Sequence, residues 1–181
     1  MSKTKLLGIS GSLRRASYNT MLLHEAAHVF GDAELSIADI DLPLFNEDDE
    51  AATGVPDKVQ ALADAIAGAD AVLISTTEYN KGISGALKNA LDWISRTRPN
   101  PFPGKPTAIM SASAGRAGGE RAQVMLRNCL VAFRPRLLQG PEMLLAAPAK
   151  EFDDDGHLAG DLYRKTLTNL MDELRAEIAR G

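Results

Sequence analysis

The sequence predicts an α/β fold in which helices cover both faces of one parallel sheet. Short apolar runs, typical of strands that are buried on both faces, alternate with longer segments whose apolar residues recur at helical spacing. The chain has 181 residues, of which 45% are hydrophobic and 24% are charged. This is enough chain to bury a substantial core, so we expect residues 1–181 to form a single domain.

Five strands are predicted, at residues 5–9, 35–39, 71–75, 107–110 and 137–145. Gly140-Pro141 interrupts the fifth of these segments. Five strands joined by right-handed crossover helices allow the doubly wound order 2-1-3-4-5, with helices on both faces. In such a sheet, ligands bind at the carboxyl ends of the first and third strands.

The predicted helices are marked by their apolar faces. The first covers residues 18–30, the second starts near Pro56, which suits the first turn of a helix, and the third carries apolar residues from Ile83 to Ile94. A fourth helix follows strand four, and a fifth closes the chain with an apolar face made of Leu167, Leu170, Met171, Leu174 and Ile178. The stretch between the second strand and Pro56 is predicted to be irregular.

Composition excludes several classes of function. The net charge of −4 and the pI near 5.4 give no large positive field, so nucleic acid is not an expected partner. No apolar run has the roughly 18 residues that a membrane span requires, and the first residues lack the pattern of a signal peptide, so a cytoplasmic protein without a membrane partner is expected. Cys129 is the single cysteine, which excludes an internal disulfide and cysteine-rich metal sites, and we expect it to be a plain buried thiol.

Parallel strands place their carboxyl ends on one edge of the sheet, and the loops at this edge have unusual composition. The loop after strand one is rich in hydroxyl and amide side chains, contains Gly11 and Arg14, and opens directly into a helix. A helix N-terminus with such groups binds phosphate well. The alternative is an ordinary polar loop in which Ser17 or Asn19 caps the helix.

This loop lacks the Walker and G-x-G-x-x-G patterns, which favours a monoester phosphate as the ligand. Gly11-Ser12, Arg14, Ser17 and Asn19 resemble the GS-x-R-x-x-S-x-N element of the flavodoxin-like family of NAD(P)H-dependent FMN reductases and quinone reductases. In that family the element holds the phosphate of FMN. The resemblance therefore implies a flavodoxin-like fold with bound FMN.

Two further loops carry the same resemblance. Residues 76–85 resemble the family's TPEYN element, which runs beside the flavin ring, although Thr77 stands where proline is usual. Taken alone, this segment would also suit a solvated turn that caps the next helix. Residues 111–119 resemble the family's G-x-x-G-G loop at the pyrimidine side of the ring, although flexibility alone would also explain its glycines.

The three loops together supply the candidate cofactor-binding residues. These are Ser10, Ser12, Arg14, Ser17, Tyr18, Asn19, Thr20, Thr77, Glu78, Tyr79, Asn80, Ser111, Ser113, Gly115, Arg116 and Gly118. No catalytic side chain is predicted, because the flavin would carry the chemistry. The resemblance implies hydride transfer from NAD(P)H through FMN to quinones, flavins, azo compounds or oxidised metal ions such as chromate.

Other readings of the sequence stay open. A flavodoxin-type electron carrier without nicotinamide turnover is the alternative, although Arg14, Arg15, Lys81, Arg116 and Arg121 suit a phosphorylated nicotinamide better. A nucleotide-processing hydrolase or transferase on the same fold is a third hypothesis. The family resemblance implies a homodimer or homotetramer, for which apolar residues such as Trp93 and Phe102 near the site edge give weak support.

Two motifs suggest metals, but no metal site is expected. His24-Glu25-Ala26-Ala27-His28 matches H-E-x-x-H, yet helical geometry turns both histidines away from the packed face, with only His157 as a distant third imidazole. The acidic run at residues 151–156 lacks EF-hand spacing and is predicted to be a solvated loop.

Overall fold

The computed structural model describes residues 3–181 and contains one parallel sheet between two layers of helices. The strands are β1 (Thr4–Ser10), β2 (Ala33–Ile37), β3 (Ala71–Thr76), β4 (Pro106–Ser113), β5 (Arg136–Leu137) and β6 (Met143–Ala146). The helices are α1 (Tyr18–Phe30), α2 (Glu47–Thr53), α3 (Asp57–Gly68), α4 (Gly85–Ile94), α5 (Glu120–Leu130) and α6 (Asp161–Ala179), with 3₁₀ turns at Val131–Phe133 and Pro148–Lys150.

The sheet has the order β2-β1-β3-β4-β5, which confirms the predicted doubly wound, flavodoxin-like topology. The prediction of one continuous strand at residues 137–145 is wrong, because the structure has two short strands there, β5 and β6. Both pair with β4, β5 with its start and β6 with its end. Gly140-Pro141 lies between the two strands, where proline lacks the N–H group that a continuous ladder needs.

Apolar residues of the sheet feed two clusters, one on each face. Leu7, Ile9, Val72 and Ile74 pack with α3, α4 and α5. The alternate residues Leu6 and Leu73, with residues of β4 and β6, pack with α1 and α6. This alternation shows that the centre of the sheet lies between two layers of helices. Because the strands are parallel, the carboxyl ends of β1, β3, β4 and β6 meet at one edge.

The helix bounds agree with the sequence except in the stretch predicted to be irregular. That stretch contains α2, which buries no residue and therefore has no apolar face for periodicity to detect. Asn46 caps α2 by accepting the N–H of Asp48, and Gly54 follows its last turn. These capping signals are readable in the sequence.

The sequence-based expectations for Trp93, Phe102 and Cys129 need correction. Trp93 and Phe102 are buried in the fold, Trp93 donating its indole N–H to the carbonyl of Pro43, so neither side chain is available to support an oligomer. Cys129 is half-buried at the edge of a core cluster, although we expected it to be buried.

Across residues 3–181, no helix combines the length and the apolar character needed to cross a membrane.

Candidate functional site

A pocket of about 410 Å³ opens at the edge of the sheet where β1, β3, β4 and β6 end. Its lining consists of Ser12, Arg14, Ser17, Tyr18, Asn19, Thr77, Glu78, Tyr79, Ala112, Ser113, Ala114, Ala147, Pro148, Ala149 and Lys150. The structure thus brings together residues from all three loops that the sequence singled out. The segments singled out in the sequence include residues of the neighbouring strands and helices. Between those elements the loops cover residues 11–17, 77–84 and 114–119, which we call the first, second and third loop.

Most of the candidate cofactor-binding residues lie in this lining. They are Ser12, Arg14, Ser17, Tyr18, Asn19, Thr77, Glu78, Tyr79 and Ser113. The remaining candidates lie outside it: Ser10, Thr20, Asn80, Ser111, Gly115, Arg116 and Gly118. Their hydrogen bonds and surroundings explain several of these placements.

The first loop ends in a capped helix. The Ser17 hydroxyl accepts the N–H groups of Asn19 and Thr20 at 3.2 and 3.4 Å, and the side chain is only 2% exposed. Arg14 is exposed, donates from Nη2 to the carbonyl of Ala16 at 2.8 Å, and places its guanidinium 5.7 Å from the centre of the Tyr18 ring. Capping by Ser17 is therefore confirmed, and it does not exclude a binding role for this loop, because the Ser17 hydroxyl keeps its own proton to donate.

Asn19 connects α1 to the ends of two strands. Its Nδ2 donates to the carbonyl of Ala112, while its Oδ1 accepts the Ala112 N–H and the Ser75 hydroxyl, at 2.9 to 3.0 Å. These bonds are buried, and Asn19 is 3% exposed. The amide group therefore braces the edge on which the pocket is built.

Ser10 and Thr20 form a pair behind the first loop. The Thr20 hydroxyl donates to Ser10 Oγ at 3.0 Å, and Ser10 Oγ donates to the carbonyl of Ser12 at 3.3 Å. Both hydroxyls thus have partners within the protein, and they hold the loop against the start of α1. A direct contact between either residue and a cofactor stays a prediction.

The second loop contains a tight hairpin. Tyr79 and Gly82 exchange two backbone hydrogen bonds of 3.0 and 2.9 Å, while Asn80 and Lys81 between them have positive φ angles of 49° and 69°. This is the geometry of a type I′ turn, which asparagine favours at its first central position. Asn80 is therefore explained by the turn, and Tyr79, 63% exposed, stands in the pocket wall.

The third loop packs closely on the neighbouring strand. The Ser111 hydroxyl donates to the carbonyl of Gly118 at 2.6 Å and accepts from Gln123 Nε2 at 2.9 Å. Gly118 has φ of 59°, and a Cβ there would lie 2.5 Å from the backbone of Leu144. Ser111 and Gly118 are therefore explained by packing, whereas Gly115 and Arg116 are exposed in the turn.

Sequence reasoning missed a fourth segment of the wall, at residues 147–150, which follows β6. Ala147 adopts a left-handed conformation with φ of 45° and donates its N–H to the carbonyl of Ser113 at 3.1 Å. Lys150 adds a second exposed cation to the wall beside Arg14. The segment carries neither glycine nor hydroxyl side chains, so only its position after a strand could have indicated it.

The H-E-x-x-H residues do not form a zinc site of the metallopeptidase kind. His24 and His28 are exposed, as predicted, but Glu25 is buried and its carboxylate accepts the Leu158 N–H and contacts His157 Nδ1 at 2.7 Å. The expectation that His157 is distant is wrong, since its ring centre lies 4.6 Å from that of His28. Within residues 3–181, no group of three or more His, Cys, Asp or Glu side chains could hold a metal ion.

The acidic run forms an exposed turn next to these histidines. Asp153 Oδ1 accepts the N–H groups of Asp155 and His157, and Asp153, Asp154 and Asp155 are all exposed. Phe152 of the same segment stacks on Tyr18 with ring centres 6.1 Å apart. The run is therefore a solvated loop, as predicted, with one aromatic residue that reaches the rim of the pocket.

Comparison with known proteins agrees with this geometry. Residues 4–148 match the family model of NADPH-dependent FMN reductase. The chain is 43% identical over 178 residues to an NAD(P)H-dependent FMN reductase of Pseudomonas aeruginosa, covering 97% of this chain and 96% of the relative. It is 38% identical over 179 residues to a probable NADPH:quinone oxidoreductase of rice, covering 95% and 87%.

A solved structure is also similar over nearly the whole chain. FerB, a flavoenzyme NAD(P)H:acceptor oxidoreductase from Paracoccus denitrificans, superposes with a TM-score of 0.88 at 33% sequence identity and covers 98% of both chains. The similarity to reductases therefore covers nearly the whole chain, including the strands and loops that form the pocket.

Proposed function

Because this chain belongs to the NADPH-dependent FMN reductase family, we propose that it is an FMN-dependent oxidoreductase. It takes hydride from NAD(P)H and passes electrons to small acceptors, among them quinones, flavins, azo compounds and oxidised metal ions such as chromate. The single observation that carries the proposal is the pocket at the switch point of the sheet, lined by the three loops that carry the family resemblance. We take the whole chain, residues 1–181, as one FMN-binding domain.

The pocket suits the phosphate end of FMN. It is concave, and its 410 Å³ falls within the range of about 300–1,000 Å³ typical of cofactor sites. At the start of α1, the side chains able to donate hydrogen bonds to a phosphate are Ser12, Arg14 and Ser17. The Ser17 oxygen accepts helix N–H groups, and its own O–H can still donate. A guanidinium binds a phosphate monoester through charge-assisted hydrogen bonds.

The other end of the pocket suits the ring. Tyr79 offers an aromatic side chain, and the backbone of residues 77–79 and 113–114 borders the same space. When bound there, FMN supplies the redox chemistry, and the protein's residues bind it, orient it and leave one face open to substrates. The Ser111 hydroxyl, which donates to the carbonyl of Gly118, and the tight backbone turn at Asn80 support these walls from outside the pocket.

The proposal extends to assembly and location. A homodimer or homotetramer in the cytoplasm is proposed, with the apolar side chains of Tyr79, Val124, Met125 and Val131 as surface for a subunit contact. All four are exposed, and Tyr79 belongs to the pocket wall. The reductase reading is favoured over a pure electron carrier because the similar proteins are named as NAD(P)H-dependent reductases.

The decisive experiment is anaerobic stopped-flow reduction of the FMN-loaded protein. Mixing with NADPH, and separately with NADH, is expected to bleach the flavin absorbance rapidly, and a panel of quinone, flavin, azo and chromate acceptors is expected to restore it. FMN-loaded protein that neither nucleotide reduces at a useful rate would contradict the reductase proposal and favour a carrier. A protein that stays colourless after incubation with excess FMN would overturn the proposal itself.

A further inference from the structure

The first turn of α5 cannot be capped by its own N-cap residue. Gly119 occupies this position with φ of 95° and has no side chain to accept a hydrogen bond. Any larger residue would clash, because a Cβ at this position would lie 2.8 Å from both Cβ and Oγ of Ser111. The free N–H groups of the first turn therefore need an acceptor from elsewhere in the protein.

Glu78 supplies this acceptor from the second loop. Its Oε2 accepts the backbone N–H of Arg121 at 3.1 Å and that of Ala122 at 3.2 Å, across 43 and 44 residues of sequence. A carboxylate at a helix N-terminus is further favoured by the partial positive charge there. The Glu78 side chain thus replaces the missing local cap and connects the second loop to α5.

A second contact holds the same hairpin on the same helix. A Cβ at Gly82 would lie 2.7 Å from Sδ of Met125, so the backbone of the hairpin lies directly against the α5 side chain. Tyr79 is bonded to Gly82 across the hairpin and belongs to the pocket wall. The hairpin is therefore fixed to α5 at Glu78 and at Gly82, on either side of Tyr79 in the sequence.

We propose that Glu78 is a positioning residue, whose carboxylate locks the second loop to α5 and so holds Tyr79 and the backbone of residues 77–79 in place for the flavin ring. This inference rests on the proposed function, and it assigns to the Glu78 side chain a role separate from any backbone contact with the cofactor. It also means that the N-terminus of α5 is already occupied by an internal anion, which leaves the start of α1 to the phosphate.

The test compares three variants of Glu78 with one control. Glu78→Ala removes the acceptor, Glu78→Gln keeps an acceptor without charge, and Glu78→Asp keeps the charge on a shorter arm. Glu120→Ala is the matched control, because it removes an exposed carboxylate from the first turn of the same helix. Circular dichroism and thermal unfolding establish that each variant is folded.

Two quantities are then measured, neither of which is turnover. Amide hydrogen exchange of Arg121 and Ala122 in apoprotein reports the cap, and titration of apoprotein with FMN gives the dissociation constant. In Glu78→Ala, exchange at both amides is expected to accelerate at least about tenfold and FMN affinity to fall about tenfold, as loss of a charge-assisted bond implies. Glu78→Gln is expected to fall between wild type and Glu78→Ala, and Glu120→Ala to match wild type.

The outcomes separate the inference from the proposed function. Unchanged exchange in Glu78→Ala would overturn the cap, and faster exchange with unchanged FMN affinity would overturn the positioning role. Equal losses in Glu120→Ala would show an effect of charge alone and would also overturn it. If Glu78→Ala does not fold, the two conservative variants carry the same test, and FMN affinity is expected to decrease in the order wild type, Glu78→Gln, Glu78→Asp. Wild-type apoprotein that binds no FMN would refute the proposed function, and the exchange data would then test the cap alone.

Discussion

Two helices begin beside the pocket, and their first turns are capped in opposite ways. α1 is capped locally, because the Ser17 hydroxyl accepts the N–H groups of Asn19 and Thr20. α5 is capped from a distance, by the carboxylate of Glu78. A local cap stabilises only its own helix, whereas a distant cap also fixes the segment that carries it.

α1 is connected to the rest of the edge by a different residue. Asn19, in the first turn of α1, bonds the end of β3 through Ser75 and β4 through Ala112. On α1, the functions of capping and bracing are therefore divided between Ser17 and Asn19. On α5, Glu78 performs both.

This division predicts that removing the brace costs more stability than removing any other group of the site. Asn19→Ala would leave the N–H and carbonyl of Ala112 and the Ser75 hydroxyl without their partner in a buried place. Each buried polar group without a partner costs about 1–3 kcal/mol, so we expect the free energy of unfolding to fall by about 3 kcal/mol. Urea unfolding of the apoprotein measures this loss.

The exposed Asn169 of α6 offers a matched control for that variant. Asn169→Ala is expected to change the free energy of unfolding by less than about 0.5 kcal/mol, as surface substitutions do. A loss below about 1 kcal/mol for Asn19→Ala would show that α1 does not depend on this brace.

The second prediction concerns binding. Arg14→Ala is expected to weaken FMN binding by about 1.5–3 kcal/mol, because a hydrogen bond to a charged group contributes this much. The measurement is the FMN dissociation constant of apoprotein, with Arg15→Ala as the control at the adjacent exposed cation. If Arg14→Ala binds FMN as tightly as wild type does, Arg14 does not contact the phosphate. If Arg14→Ala and Arg15→Ala lose the same affinity, the effect comes from the loss of positive charge and not from a specific bond.

The third prediction separates local capping from binding. Ser17→Ala removes the cap of α1 and should lower the free energy of unfolding by about 1 kcal/mol. Ser84→Ala removes the corresponding cap of α4, where the hydroxyl accepts the Leu87 N–H outside the pocket lining, and should cost a similar amount. Only Ser17→Ala should also weaken FMN binding, so a parallel loss of affinity in Ser84→Ala would argue against a local effect at the first loop.

These contrasts also show which parts of the molecule the sequence predicts. Strand and helix positions follow from apolar periodicity, and the first three loops were recognisable because glycines, hydroxyls and Arg14 cluster after strands. Residues 147–150 carry no such composition and were missed, although they complete the pocket wall. The helix α2 was missed because it buries no apolar residue.

Bonds between single polar side chains in distant segments could not be predicted. Glu78 and Arg121 in the first turn of α5 are 43 residues apart, and Glu25 and His157 are 132 residues apart. One sequence contains no periodic signal for such a pair, since each partner looks like an ordinary surface residue of its own segment. Glu25 in particular occupies a position in a zinc-binding motif, and only the fold reveals that its carboxylate is buried against residues 157 and 158.

The smallest predicted effect concerns this last pair, which attaches the segment after β6 to the middle of α1. The hydrogen bond to the Glu25 carboxylate, together with its charge, raises the pKa of His157 above its usual value near 6.5. The charges of Asp153 and Asp155 act in the same direction, and the His28 ring lies against His157 from α1. A raised pKa in the folded state means that folding favours the protonated imidazole.

The sign of the pH dependence follows from this preference. The stabilisation is fully present below about pH 6.5 and is lost as the pH rises through the raised pKa of folded His157. The difference in unfolding free energy between wild type and His157→Gln should therefore shrink across this window, as measured by urea unfolding at a series of pH values. The Asn169→Ala variant, which removes no titratable group, should show a difference from wild type that stays constant over the window. A pH-independent difference for His157→Gln would mean that the contact stabilises the segment without its charge, and this attachment would then resemble the neutral cap of α1 instead of the charged cap of α5.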